Sequence, residues 1–138
     1  VYKRQVLYLD AKEKKHIDEC GAANFFGIRD GRYITPKSHS VLPSITNMSL
    51  MTLAADLGLK VESRPVEAAE LSTFSEAGAC GTAAVISPIG SIYDPETNHT
   101  YTYNNGEPGE WSKKLYHKLR AIQYGEEPDT HGWNLVLE

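Results

Sequence analysis

The chain is organised around Asp18-Glu19-Cys20-Gly21-Ala22-Ala23-Asn24-Phe25-Phe26. A carboxylate and an amide bracket a run of small residues, and two adjacent aromatics follow. Small residues let a backbone approach a ligand closely. A carboxylate in such a place caps a structure, faces water, or neutralises a bound cationic group, and the stretch alone leaves the three open. Its flanks read as strand. Val6-Leu7-Tyr8-Leu9 is a short buried strand, Asp10 to Lys15 a charged, solvated turn, and His16-Ile17 opens a second strand toward Glu19. Asn24 to Ile28 continues as strand. Asp30-Gly31 is a two-residue hairpin signal, and Arg32-Tyr33-Ile34-Thr35 returns until Pro36 ends it. The first third is therefore expected to be a β-meander.

Beyond Pro36 the pattern turns helical. Leu42-Pro43-Ser44-Ile45-Thr46-Asn47 carries helix-start chemistry, a proline followed by hydroxyl and amide side chains. The helix is expected to run to about Leu57, with Ile45, Met48, Leu53, Ala54 and Leu57 as its apolar positions and Gly58 as its stop. Leu59 to Ser63 alternates as a strand, and Pro65 opens a second short helix through Phe74. A Gly81-Thr82 turn leads into a buried β run that Pro88 closes. Tyr93 to Asn105 reads as a tyrosine-rich hairpin with its turn at Asn104-Asn105-Gly106. A last helix spans about Glu110 to Tyr124 with Leu115, Leu119 and Ile122 as its apolar face, stopped by Gly125. The tail from Pro128 carries His131 and Trp133 and is expected to pack as an extended segment.

Composition removes several function classes. The chain has 138 residues, the size of one domain or a part of a larger protein. Its net charge is −4 and it has no basic block, which argues against nucleic acid as a partner. No apolar run is long enough to span a membrane. Two cysteines, Cys20 and Cys80, make neither a disulfide framework nor a metal pattern, so no metal site is expected and a reducing, cytoplasmic setting fits best. There is no Gly-x-Ser-x-Gly, no His-Glu-x-x-His and no Walker loop.

Three small-residue segments remain as candidates for chemistry: Glu19 to Asn24, Leu42 to Thr46, and Gly81 to Ala84. The second feeds a helix N-terminus with hydroxyls, where unbonded N–H groups and the helix dipole suit an anion. The third offers backbone N–H groups and a threonine hydroxyl in a turn, and such a nest can hold an anion.

Taken in order and spacing, these segments resemble the branched-chain amino-acid aminotransferases, which belong to the fold-type IV enzymes using pyridoxal 5'-phosphate (PLP). The resemblance rests on Val6-Leu7-Tyr8-Leu9-Asp10, Glu19-x-Gly21-x-x-Asn24-Phe25-Phe26, Thr35-Pro36, Leu42-Pro43-Ser44-Ile45-Thr46, Gly81-Thr82-Ala83-Ala84 and Lys118-Leu119-x-x-Ile122-Gln123-Tyr124-Gly125. It implies an α/β fold: a mixed β-sheet or barrel-like core with flanking helices, the C-terminal part of the fold-type IV architecture. Residues 1–138 would be a single C-terminal PLP-binding domain fragment, with residues 1–4 a candidate non-native extension.

The resemblance also implies roles. Glu19 matches the glutamate lying against the pyridine nitrogen of PLP. Ile45 and Thr46 match the helix start that holds the cofactor phosphate, Thr82 a further phosphate ligand, and the backbone at Thr82 and Ala83 the site receiving the substrate carboxylate. The expected activity is amino-group transfer between leucine, isoleucine or valine and 2-oxoglutarate, by a cytoplasmic homodimer. No catalytic residue is expected in this chain. The Schiff-base lysine of the family lies upstream, and none of Lys3, Lys12, Lys14, Lys15 and Lys37 sits at the matching place.

The chain also departs from the family pattern. The usual Leu-Pro-Gly-x-Thr-Arg reads Leu-Pro-Ser-Ile-Thr-Asn, so Ser44 restricts a backbone that glycine leaves free and Asn47 removes a charge. Ala22 and Ala23 stand where bulkier or polar residues are frequent, and the Cys-x-x-Cys of some members reads Ala84 and Ser87. A D-amino-acid aminotransferase, an aminodeoxychorismate lyase, or a non-enzymatic phosphate-ligand or interaction domain are the alternatives.

Overall fold

The computed structural model describes residues 5–137; the expected non-native extension at residues 1–4 lies outside the described residues. Phe25 and Phe26 are neighbours in one strand, so their rings point to opposite faces, and both are completely buried. Their strand must therefore be covered on both sides. The elements that do this are β1 (Leu7–Leu9), β2 (Ile17–Cys20), β3 (Ala23–Arg29) with the two phenylalanines, β4 (Arg32–Pro36), α1 (Ile45–Asp56), β5 (Lys60–Arg64), β6 (Glu76–Gly81), β7 (Val85–Ile89), β8 (Ser91–Asp94), β9 (His99–Thr102) and α2 (Glu110–Gln123).

One edge of β3 pairs antiparallel with β6, from Asn24↔Cys80 to Ile28↔Glu76. The other edge is shared between β2, at Glu19↔Asn24 and Cys20↔Ala23, and β4, from Gly27↔Ile34 to Arg29↔Arg32. β1 lies beyond β2, β7 beyond β6, and β5 beyond β4 in a parallel pair whose crossover contains α1. This is the expected mixed sheet with flanking helices; among the described residues it stays open rather than closing into a barrel. On one face Phe26, Ile28 and Tyr33 pack against Leu50 and Leu53 of α1 and Leu115, Leu119 and Ile122 of α2. On the other, Phe25 packs with Ile17, Ile34, Val66 and Phe74. Each fully buried side chain of this size contributes about 1.5–3 kcal/mol.

Several elements differ from expectation, each for a physical reason. Glu19 and Asn24 do not lie in one continuous strand. Gly21, at φ 57°, and Ala22 turn the chain between β2 and β3, with positive φ only at the first position, the pattern of a II′ hairpin turn. β6 was not legible because Glu76-Ala77-Gly78-Ala79-Cys80-Gly81 is poor in strand-forming residues; its small side chains are demanded by Phe26, whose ring would lie 2.5 Å from a Cβ at Gly78. β7 continues through Pro88, which an edge strand tolerates because no ladder bond is lost on its open side. The second short helix is a 3-10 segment, Ala68–Thr73. The tyrosine-rich hairpin turns at residues 95–98, where Asp94 accepts from the Glu96 N–H and the Thr97 hydroxyl, and Asn104–Gly106 instead forms a short 3-10 turn.

The apolar face of α1 is also rotated from the expected one. Asn47, Leu50, Leu53 and Ala54 face inward, while Ile45 and Met48 are exposed. Both helices stop as expected. Gly58 and Gly125 adopt positive φ, and the bonds Leu59 N–H to Ala54 O and Glu126 N–H to Ala121 O close a Schellman motif at each end. The tail is held as far as Asn134, whose amide donates to the Ile122 carbonyl, and by His131, which meets Asp56 at 2.7 Å and stacks on Trp133.

The start of α2 is fixed by a buried carboxylate. Glu76 accepts from the Trp111 and Ser112 N–H groups and the Ser112 hydroxyl, each at 2.9 Å. A charge placed here is satisfied by three donors and the positive end of the helix. Glu76→Ala leaves those donors buried without an acceptor and should cost about 3 kcal/mol, with Glu76→Gln costing about half as much. Urea denaturation measures both, and an unchanged midpoint for Glu76→Ala would contradict the role.

Candidate functional site

The register of the sheet brings the three small-residue segments to one end. Glu19 on β2, Asn24 on β3 and Cys80 on β6 occupy one row, and directly opposed antiparallel residues share a face. Two strand spacings, about 10 Å, separate the backbone of Glu19 from that of Cys80. The β2–β3 turn at Gly21-Ala22 and the β6–β7 turn at Thr82-Ala83-Ala84 leave the sheet at this same end, where a Cβ on Gly81 would stand 3.9 Å from the Ala23 Cβ. The Asn24 amide donates to the Leu42 carbonyl at 3.2 Å, which ties the loop before α1 to the same row.

The start of α1 is anchored from within. Ser44 is its N-cap and accepts from the Asn47 N–H at 3.1 Å. The Asn47 side chain turns into the protein. Its carbonyl accepts from the Tyr33 hydroxyl at 2.8 Å, and its amide donates to the Thr35 hydroxyl at 3.1 Å, which itself donates to the Phe25 carbonyl at 2.8 Å. Tyr33 is completely buried and stacks on Phe26 at a centroid distance of 5.0 Å. The N–H groups of Ile45 and Thr46 and the Thr46 hydroxyl have no hydrogen-bond partner among the described residues. Two outward N–H groups, a hydroxyl and a helix dipole suit an anion such as a phosphate.

Thr82, Ala83 and Ala84 are exposed in their turn, and the Thr82 and Ala83 N–H groups and the Thr82 hydroxyl are likewise unengaged among the described residues. The turn exits through Val85 at φ 59°, in the left-handed region that a β-branched residue rarely adopts, at a cost of about 1–3 kcal/mol. Val85 is nevertheless buried in the core beneath the helices, and that packing holds the strained conformation.

Glu19 is half-buried beside this set. The arrangement thus offers a carboxylate suited to a cationic ring nitrogen and two clusters of neutral donors suited to anionic oxygens, a donor set that fits a phosphorylated pyridine. Among the described residues there is no cluster of side chains that could hold a metal ion, and no helix long and apolar enough to cross a membrane. Cys20 and Cys80 are buried thiols, each pushed up to about 12 by burial. Sequence reasoning missed Asn24 and Asn47 as anchors. The signal for Asn47 was present: it lies three and seven residues before the core positions Leu50 and Ala54.

Comparison with known proteins bears on this geometry. The family model described as amino-transferase class IV matches residues 3–92. A branched-chain-amino-acid aminotransferase of Haemophilus influenzae is 45% identical over 134 residues, covering 96% of this chain. The chain spans only 39% of that relative's length. Among solved structures, the branched-chain amino acid aminotransferase of Escherichia coli superposes with a TM-score of 0.81 at 29% identity, over 94% of this chain and 40% of that one. The PLP form of the enzyme from Thermobaculum terrenum gives 0.77 at 34% identity, over 89% of this chain and 38% of that one.

The buried thiols give the site a pH signature. An unfolded thiol loses its proton near the ordinary value of 9.0, whereas the folded ones retain theirs to about 12. The native state then binds more protons, so stability should fall as pH rises above about 9. Iodoacetamide should label neither cysteine at about pH 8 until denaturant is added. Rapid labelling of native protein would contradict this burial.

Proposed function

The chain belongs to the class IV aminotransferases, and we propose that it is the C-terminal, cofactor-cradling domain of a branched-chain amino-acid aminotransferase, a PLP enzyme moving an amino group between leucine, isoleucine or valine and 2-oxoglutarate. Names of relatives such as the Haemophilus protein support the substrate class, and the PLP form of the Thermobaculum neighbour supports the cofactor. Because the chain spans 39% of that relative's length, the activity is that of the full-length parent. The parent acts as a cytoplasmic homodimer on amino-acid and 2-oxo-acid substrates, without nucleic-acid or membrane partners.

The observation that carries this reading is the coupling of Glu19, through its register partner Asn24, to the start of α1 by the Asn24–Leu42 hydrogen bond. One carboxylate and one phosphate-ready helix start are thereby held in a fixed relation. PLP held by these residues would supply a cationic ring that serves as an electron sink for the substrate α-carbon. Glu19 keeps the proton on the ring nitrogen, because an adjacent carboxylate favours the cationic form. Ile45 and Thr46 donate backbone N–H groups and a hydroxyl to the phosphate, and Thr82 adds a further donor. The backbone at Thr82 and Ala83 receives the substrate carboxylate. The lysine that carries the proton to and from the α-carbon belongs to the upstream part of the parent.

Glu19→Gln in the full-length parent should lower turnover by at least about a hundredfold, with circular dichroism and PLP content unchanged. Turnover at the parental level would remove Glu19 from this role. A panel of amino donors tests the substrate: leucine, isoleucine and valine should be used well and D-alanine poorly.

A further inference from the structure

We infer that Asn47 is a positioning residue for the cofactor phosphate, an inward-facing amide that fixes the first turn of α1. The inference rests on the reading of Ile45 and Thr46 as phosphate donors.

Asn47 is the third residue of α1, immediately after those two positions. It is buried, and its backbone N–H, side-chain carbonyl and side-chain amide are bonded to Ser44, Tyr33 and Thr35 respectively. These bonds run to two structural layers. Ser44 belongs to the loop entering the helix, and Tyr33 and Thr35 belong to β4, which is locked to β3 by register and by the Thr35–Phe25 bond. One amide therefore ties the first turn of α1 to β4 and, through the Thr35–Phe25 bond, to β3, the strand of Asn24.

The consequence concerns orientation. With the Asn47 N–H taken by Ser44, the Ile45 and Thr46 N–H groups stay unengaged among the described residues, and their direction is set by how the first turn is pinned. Helix ends fray unless tertiary contacts hold them. A side chain at this place that pointed outward could add charge to an anion, but would leave the Tyr33 and Thr35 hydroxyls without their partner. Asn47 instead points inward and fixes the donors. A pinned set of neutral donors loses less ordering free energy on binding.

The test uses the full-length parent and measures the affinity of the apoenzyme for PLP and for pyridoxal, which lacks the phosphate. Asn47→Ala should raise the PLP dissociation constant about tenfold while changing that of pyridoxal less than about twofold. The 31P resonance of the bound cofactor should shift toward its position in free PLP. Tyr33→Phe keeps the ring on Phe26 and removes one bond to Asn47; it should give the same selective loss at about threefold, and serves if Asn47→Ala does not fold. Equal weakening of PLP and pyridoxal, or no weakening of either, in a folded variant would overturn the inference. A parent that binds PLP no better than pyridoxal would instead overturn the phosphate-site reading on which it rests.

Discussion

The two edges of β3 impose the constraint on which everything else depends. One edge is committed to β6, and the other is divided between β2 and β4. Both faces are covered, because Phe25 and Phe26 send their rings to opposite sides. A slip of one residue would exchange the two faces and bury the wrong set of side chains. The row Glu19, Asn24, Cys80 is thus a by-product of burying two aromatic rings. The site inherits its precision from the core rather than from contacts within the site.

Charge follows a different logic from shape. The chain is acidic overall, at −4, yet the proposed ligand is an anion. The conflict is resolved by distance. Helix-end and turn N–H groups act over a few ångströms, within the first turn, whereas exposed charges farther away are screened. Part of the acidic charge is also engaged elsewhere. Glu70 accepts two bonds from Arg64, and Glu62 is bonded by Arg32 and Arg64, which holds both carboxyls below their usual range. The donors around Ile45, Thr46 and Thr82 are neutral, so their contribution does not depend on titration.

Much of the fold was legible because its signals are local. The meander at the start, the two-residue Asp30-Gly31 turn, the helix start at Ser44 and both glycine stops were read from residues a few positions apart. The candidate site residues are proposed from their order along the chain. Three of the misreadings depend on partners far away in the chain or on a place in the sheet. β6 looks like a linker by propensity and is a strand because Phe26 leaves room only for small residues opposite it. Pro88 looks like a terminator and is not one, because β7 lies at an edge. The inward face of α1 was assigned by hydrophobicity, which overlooked that a buried amide can belong to a core face when its partners are in place.

Local sequence accounts for the β2–β3–β4 meander, the start of α1 and both glycine stops, and it names candidates for holding a cationic ring and two anionic groups. These follow from backbone preferences and hydrogen bonds spanning about four residues. Only the tertiary structure decided which residues face each other and which way α1 turns. Those choices rest on partners far apart in the chain, such as Tyr33 and Asn47, 14 residues apart, and Glu76 and Ser112, 36 apart. Such pairs carry no local signature. They become favourable only when the sheet has closed around Phe25 and Phe26, and Glu19 acquires its place beside the helix start by that same closure.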